Sequence, residues 1–138
     1  MQVLGIDIGG SGIKGALVNT DDGQLVSERI RIETPSGFEI DTVTETIAAL
    51  LDEFNYKGPV GVGFPAAVAE GIVLTPPTAH HVAGWVGQSV NDRFSAATGC
   101  NVMVLNDADA AGLAEIRYGA GQGIDGVVIT VTLGKISG

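Results

Sequence analysis

Basic residues are scarce in this sequence, in which 7 lysines and arginines stand against 16 aspartates and glutamates, for a formal net charge of −9 at pH 7. Affinity for nucleic acid comes largely from lysine and arginine side chains that neutralise backbone phosphates, so this balance argues against a nucleic-acid partner. It also means that any site for a phosphorylated ligand depends on a few cations placed close to it.

Cysteine and long apolar runs are lacking too. Cys100 is the only cysteine, so the chain cannot form an internal disulfide, which fits a reducing compartment. No apolar run approaches the roughly 20 residues that span a bilayer, and the first residues lack the basic segment that opens a secretory signal. We therefore expect a cytoplasmic protein with no membrane partner. The 138 residues, 45% of them hydrophobic, suffice for one domain with a hydrophobic core.

Glycine is abundant, with 21 residues, and a glycine-rich turn interrupts the first apolar run. Residues 4–18, LGIDIGGSGIKGALV, place a β-branched, apolar segment on each side of this turn and predict a β-hairpin. We expect Gly9, Gly10 and Gly12 to supply the positive φ angles of a tight turn. One interpretation is that the glycines merely join two antiparallel strands.

The alternative is that the turn holds phosphate. The amides of Gly9, Gly10 and Ser11 could converge on an anion, and the ammonium group of Lys14 could neutralise it. The carboxylate of Asp7 cannot bind phosphate directly, so its natural role would be to hold a hydrated Mg²⁺ ion that bridges phosphate oxygens.

The rest of the chain alternates between strand and helix patterns. Apolar residues at helical spacing over residues 41–54 predict a helix, with Asp41 or Thr42 as candidate N-cap. A third strand over residues 25–34 would complete an antiparallel meander with the hairpin. We predict a second helix over residues 89–98, closed by Gly99, and a third over residues 110–118. The further predicted strands are residues 60–65, 72–75, 101–105 and 127–134.

A second group of polar residues follows the strand at residues 101–105, where Asn106, Asp107 and Asp109 lead into the predicted third helix. Groups at the carboxyl end of a strand point into the crevice where open α/β sheets bind ligands. Either aspartate could instead only cap the helix and accept hydrogen bonds from its first amides.

Together, IDIGGSGIKG and LNDADAAGLAE resemble the ROK family of sugar kinases, and most closely its polyphosphate glucokinase branch. The resemblance implies an α/β fold, the actin-like ATPase (ribonuclease H-like) domain, with a mixed sheet, an antiparallel meander and flanking helices. It further implies transfer of a phosphoryl group from ATP or inorganic polyphosphate, with Mg²⁺, to glucose or a related hexose.

The resemblance also implies roles for individual residues. Asp107 matches the catalytic base that accepts the proton of the sugar hydroxyl, and Asn106 matches a ligand of the sugar hydroxyls. Asp7 would hold Mg²⁺ through water. The phosphate-binding residues would be Gly9, Gly10, Ser11 and Lys14.

His80 and His81 depart from the family pattern, because they occupy the loop in which the family usually places a sugar-binding asparagine. We take them as candidate substrate-binding residues. They could equally form a pH-sensitive surface or be solvated loop residues, and the absence of a neighbouring cysteine or acidic cluster disfavours a metal site.

We expect residues 1–138 to be the N-terminal lobe of an actin-like sugar kinase, with the C-terminal lobe absent from this chain. Two lobes of such a kinase close on the substrates, so one lobe alone should be weak or inactive. The segment LGKISG at residues 133–138 also departs from the LGTGIG pattern of the family's second phosphate loop. We expect a homodimer.

Two other classes of function stay open. One is a sugar-sensing domain of the kind found in ROK repressors, although these carry a DNA-binding segment ahead of the first strand, where this sequence has Met1. The other is an interaction module that dimerises through an exposed sheet edge.

Overall fold

The computed structural model describes residues 2–19, 21–22, 24–78 and 82–106. The predicted third helix, the predicted strand at residues 127–134 and the segment LGKISG lie outside these residues. The described elements, in chain order, are β1 (Gln2–Ile8), β2 (Gly12–Asn19), β3 (Ile30–Glu33), α1 (Ile40–Phe54), β4 (Val60–Phe64), β5 (Val68–Ala69), β6 (Ile72–Val73), α2 (Val90–Thr98) and β7 (Val102–Asn106).

Five of the strands form one mixed sheet in the order β3-β2-β1-β4-β7. β2 runs antiparallel to both β1 and β3, which confirms the predicted meander, while β4 runs parallel to β1 and β7 runs parallel to β4. The three parallel strands therefore end at the same edge of the sheet. β5 and β6 form a separate two-stranded sheet, and the sequence pattern did not predict β5.

One face of the sheet is the apolar face. Because side chains alternate along a strand, Ile6 and Ile8 point to this face, whereas Asp7 points to the opposite one. Side chains of α1 and α2 join the apolar face in a single core. Its members include Leu4, Ile6, Ile8, Ile13, Val62, Val104, Val43, Ile47, Leu50 and Phe94.

The two helices begin differently. α2 has the predicted caps, since the hydroxyl of Ser89 accepts a hydrogen bond from the amide of Asp92 and Gly99 ends the helix with φ of 71°. α1 begins at Ile40 after Glu39, which makes no side-chain capping bond, so the prediction of Asp41 or Thr42 as N-cap is wrong. Both residues lie inside the first helical turn, which begins one residue after Glu39, whose carbonyl accepts a helical hydrogen bond from the amide of Val43 at 3.0 Å. Neither helix in the described part of the chain is long and apolar enough to cross a membrane.

The third strand is shorter than predicted and covers Ile30–Glu33 rather than residues 25–34. Upstream of it, the hydroxyl of Ser27 accepts a hydrogen bond from the amide of Leu17 at 2.9 Å, and the amide of Val26 donates to the Leu17 carbonyl at 2.9 Å. The Ser27 hydroxyl thus replaces the backbone carbonyl that would accept the Leu17 amide if β3 extended continuously alongside β2.

Three aromatic side chains form a buried cluster beside the sheet edge at which β4 ends. Phe38, Phe64 and Trp85 have no exposed surface, and the ring centroid of Trp85 lies 5.3 Å from that of Phe38 and 4.9 Å from that of Phe64. The indole Nε1 of Trp85 donates a hydrogen bond to the carbonyl of Phe38 at 2.9 Å. The cluster therefore joins the segment before α1, the end of β4 and the segment before α2.

Candidate functional site

The glycine loop between β1 and β2 is closed by a hydrogen bond from the amide of Gly9 to the carbonyl of Gly12, at 3.0 Å. None of Gly9, Gly10 and Gly12 has a positive φ, so that prediction is wrong for all three. The reason for glycine at position 9 is close backbone approach, because a Cβ there would lie 2.9 Å from the Gly12 carbonyl oxygen. The amide of Gly9 is therefore used inside the turn and is not available to an anion.

The β3 side of the sheet holds the loop in place. The hydroxyl of Thr34 donates to the Gly9 carbonyl at 2.8 Å, and the amide of Thr34 donates to the Ser11 carbonyl at 3.2 Å. In a trans peptide the carbonyl and the following N–H point in opposite directions. Because the Gly9 carbonyl faces Thr34, the amide of Gly10 faces away from that side chain.

Asp7 and Lys14 lie directly opposite each other in the register of β1 and β2. Directly opposed residues in an antiparallel pair put their side chains on the same face, with Cα atoms about 4.5–5.5 Å apart. Both residues are half-buried. On the other side of Asp7 its register partner in β4 is Gly63, which has no side chain to fill the space. A carboxylate and an ammonium group thus share one face of the sheet next to the glycine loop.

The fit of this arrangement to Mg²⁺ can be judged from its donor set. The described part of the chain contains no group of three or more histidine, cysteine, aspartate or glutamate side chains that could hold a metal ion. Mg²⁺ keeps several waters and is usually bound by one or two carboxylates together with phosphate oxygens. A single carboxylate, Asp7, beside the glycine loop fits that mode of binding and does not fit an all-protein cage.

Asn106 is the last residue of β7 and lies in register with Phe64, the last residue of β4. Its side-chain amide nitrogen donates to the carbonyl of Ala66 at 2.6 Å, and the residue is half-buried. This hydrogen bond fixes the orientation of the amide group at the edge where the three parallel strands end, which is the usual ligand crevice of an open α/β sheet.

Three of the predicted site residues lie outside the described residues, namely Asp107, His80 and His81, and so does Asp109. Asp107 is the residue that follows Asn106 in the chain. The described site therefore consists of the glycine loop, the Asp7–Lys14 pair and Asn106.

Sequence reasoning missed two residues that contact the loop, Arg31 and Thr34. The guanidinium Nη2 of Arg31 donates to the Ser11 carbonyl at 2.8 Å. The only feature of the sequence that pointed to these contacts was the polar side of a half-exposed third strand. The register of that strand against β2 depends on where the strand begins, and its start was not predicted.

Replacing Gly9 by alanine is expected to destabilise the chain by about 1–3 kcal/mol, because the new methyl group would displace the Gly12 carbonyl and break the bond that closes the loop. Urea unfolding followed by circular dichroism measures the change. Ser11→Ala, an exposed change in the same loop, is the control and should alter the free energy of unfolding by less than about 0.5 kcal/mol. Equal stability of Gly9→Ala and the parent would contradict the assigned role of the close approach.

Comparison with known proteins gives similarities along nearly the whole chain. Residues 3–137 match the sequence model described as "ROK family". A protein named polyphosphate glucokinase from Mycobacterium tuberculosis is 46% identical over 132 residues, which cover 95% of this chain and 49% of that protein. This chain therefore spans about half the length of that relative.

Two solved structures extend the similarity to three dimensions. An inorganic polyphosphate/ATP-glucomannokinase from Arthrobacter sp. strain KM superposes with a TM-score of 0.77 at 40% identity, over 89% of this chain and 51% of that one. A ROK family glucokinase from Streptomyces griseus, solved with glucose and AMPPNP, superposes with a TM-score of 0.68 at 29% identity, over 89% of this chain and 38% of that one. These neighbours have the actin-like ATPase fold, which confirms the fold class expected from the sequence.

Proposed function

The chain belongs to the ROK family, and from this premise we propose that it is the N-terminal lobe of a hexose kinase that phosphorylates glucose or a related hexose. The observation that carries the proposal is the Asp7–Lys14 pair, which shares a sheet face beside a closed glycine loop. Phosphoryl transfer needs positioning and charge neutralisation more than covalent help from the protein. A loop of backbone amides with one cation and one carboxylate provides both.

In the proposed reaction the oxygen of a hexose hydroxyl attacks the terminal phosphorus of the donor. Asp107 accepts the hydroxyl proton, and the bridging oxygen of the donor leaves with the electron pair of the broken P–O bond. Asn106 would bind a sugar hydroxyl, and His80 and His81 are further candidates for sugar contacts. Of the predicted phosphate-binding residues, Gly10, Ser11 and Lys14 would contact the donor phosphates, whereas Gly9 would shape the loop, because its amide bonds the Gly12 carbonyl.

A Mg²⁺ ion held through water by Asp7 would supply positive charge to the donor phosphates when bound. Lys14 has a related role, because its ammonium group lies on the same face and adds a fixed positive charge in a chain of net charge −9. The donor would be inorganic polyphosphate or ATP, because the M. tuberculosis relative is named a polyphosphate glucokinase and the Arthrobacter relative a polyphosphate/ATP-glucomannokinase.

The rest of the proposal concerns the whole protein. Because the chain covers about half of its relatives, we propose that a C-terminal lobe completes the site and that the lobe alone is weak or inactive. We also propose a cytoplasmic homodimer that does not bind nucleic acid. Cys100 is a free, buried thiol, which supports a reducing compartment, and the net negative charge supports the absence of nucleic acid.

The proposal is tested by assaying hexose phosphate formation from glucose, with ATP or long-chain polyphosphate as donor. Two proteins are compared, namely the 138-residue chain and the same chain joined to whatever segment follows it in its gene. We expect turnover by the longer protein with at least one donor, and a rate at least about 100-fold lower for the chain alone, since one lobe cannot orient both substrates. Failure of the longer protein with both donors and several hexoses would contradict the proposed function.

A further inference from the structure

Arg31 lies over the outer side of the glycine loop. Besides donating to the Ser11 carbonyl, its guanidinium group fills the space that a side chain at position 12 would need, since a Cβ on Gly12 would lie 2.8 Å from Nη2 and 2.7 Å from Cζ of Arg31. Glycine is required at position 12 because the Arg31 side chain occupies the space of a Cβ atom, and not because the backbone adopts a positive φ angle. A guanidinium carries five donors, and this hydrogen bond to Ser11 uses one of them.

Arg31 also extends the row of charges that crosses the sheet. It is the register partner of Lys14, which in turn is the register partner of Asp7. Neighbouring strands lie about 4.8 Å apart, so the row places a carboxylate, an ammonium group and a guanidinium group on one face at intervals of roughly 5 Å. Arg31 is exposed, and its strand, β3, is the edge strand of the described sheet. Nothing else in the described sheet lies beyond it.

We propose that Lys14 and Arg31 form a cation row that binds a linear inorganic polyphosphate donor and leads it from the glycine loop over the open β3 edge. The inference rests on the proposed function and deepens it, because it assigns a binding residue and a path to one of the two candidate donors. A polyphosphate chain carries negative charge along its whole length, so each further cation outside the reacting centre adds binding. ATP ends in an uncharged adenosine, which gains nothing from a second cation at the edge.

The charge distribution of the chain agrees with this path. Arg29 stands two residues before Arg31, so three of the 7 basic residues of a chain with net charge −9 occur on β2 and β3 or directly before β3. Glu33 opposes the effect, because it follows Arg31 by two positions and faces Gly12 in the register of β2 and β3. Substitution of Arg31 removes a positive charge from β3, and substitution of Glu33 removes a negative one. The two substitutions should therefore change polyphosphate binding in opposite directions.

The test is isothermal titration calorimetry of the 138-residue chain with long-chain polyphosphate and with orthophosphate, in buffer containing Mg²⁺. Orthophosphate is a single phosphate group, so bound in the loop beside Lys14 it does not extend along the proposed path toward the β3 edge. Arg31→Gln is expected to raise the dissociation constant for long-chain polyphosphate about tenfold or more and that for orthophosphate by less than about twofold. Glu33→Gln is expected to tighten long-chain binding about two- to fivefold. The long-chain binding of the parent should also weaken more steeply with added salt than that of Arg31→Gln.

Arg93→Gln is the matched control, because it removes the same charge from α2, where Nη1 of Arg93 contacts Oδ1 of Asp41 at 3.1 Å. The dissociation constant of Arg93→Gln for long-chain polyphosphate should equal that of the parent within about twofold. An unchanged long-chain affinity in Arg31→Gln would overturn the cation row and leave the proposed function standing. Equal losses for the two ligands would also overturn it, since Arg31 would then act by shaping the loop. No binding of either ligand by the parent would overturn the proposed phosphate loop itself.

Discussion

Trp85→Ala is expected to lower the free energy of unfolding by about 3–5 kcal/mol, one of the largest losses that a single substitution in this chain should produce. The indole is fully buried and packs against the rings of Phe38 and Phe64. Removing it leaves a cavity that these rings can only partly fill, and the Phe38 carbonyl loses its donor. Because Trp85 is the only tryptophan, unfolding should be followed by circular dichroism and not by fluorescence.

Two further substitutions separate packing from hydrogen bonding at this position. Trp85→Phe keeps an aromatic ring but removes Nε1, so it should lose about 1–3 kcal/mol, largely from the Phe38 carbonyl left without its donor. Val86→Ala is the control at the next residue, whose side chain is 53% exposed, and should change stability by no more than about 0.5 kcal/mol. A loss in Trp85→Ala no larger than in Val86→Ala would show that the cluster does not hold the fold.

The cluster also bears on the candidate site, through the segment before α1. Phe38 has φ of 49°, a left-handed conformation that is costly by about 1–2 kcal/mol for a bulky residue. Its ring contacts and the hydrogen bond from Trp85 hold it there. Thr34, which bonds the glycine loop through both its hydroxyl and its amide, lies four residues earlier. Loosening the cluster is therefore expected to loosen the support of the loop as well.

The features that the sequence predicted well are those set by local pattern. The β-hairpin, α1, α2, β4 and β7 were placed within one or two residues, because alternation, helical spacing and turn residues act over short stretches. The pairing of Asp7 with Lys14 belongs to this class, since both lie in one hairpin whose short turn fixes the register. The candidate loop could thus be predicted from 15 consecutive residues, 4–18.

The features that were missed depend on partners distant in sequence. Arg31 reaches the loop only because β3 begins at Ile30, after Ser27 has taken the place of a backbone partner for β2. Trp85 lay in a stretch without periodicity, and its partner Phe38 is 47 residues away. No local pattern encodes either contact. The predicted N-cap of α1 is wrong for a related reason, because the left-handed conformation of Phe38 sets the residue at which the helix begins.

Asp107→Asn, made in the protein that includes both proposed lobes, is expected to reduce the rate of hexose phosphorylation by about 10²- to 10⁴-fold. Asparagine has nearly the same size as aspartate but cannot accept the hydroxyl proton, so the attacking oxygen would lose its base. The assay measures hexose phosphate formation at saturating glucose, and a thermal unfolding curve checks that the variant is folded. Asp107 directly follows Asn106, the last residue of β7, in the chain.

The choice of asparagine also decides between this role and helix capping. Asparagine and aspartate are about equally good N-caps, so an aspartate that only caps a helix can be replaced by asparagine with little change in stability or rate. Asp109, the other aspartate that could cap the predicted third helix, is expected to behave in that way and serves as the matched control. Full activity of Asp107→Asn would make Asp107 a cap and refute its role as base. Loss of activity in Asp107→Asn alone, with both variants equally stable, is the result that requires a proton acceptor at residue 107.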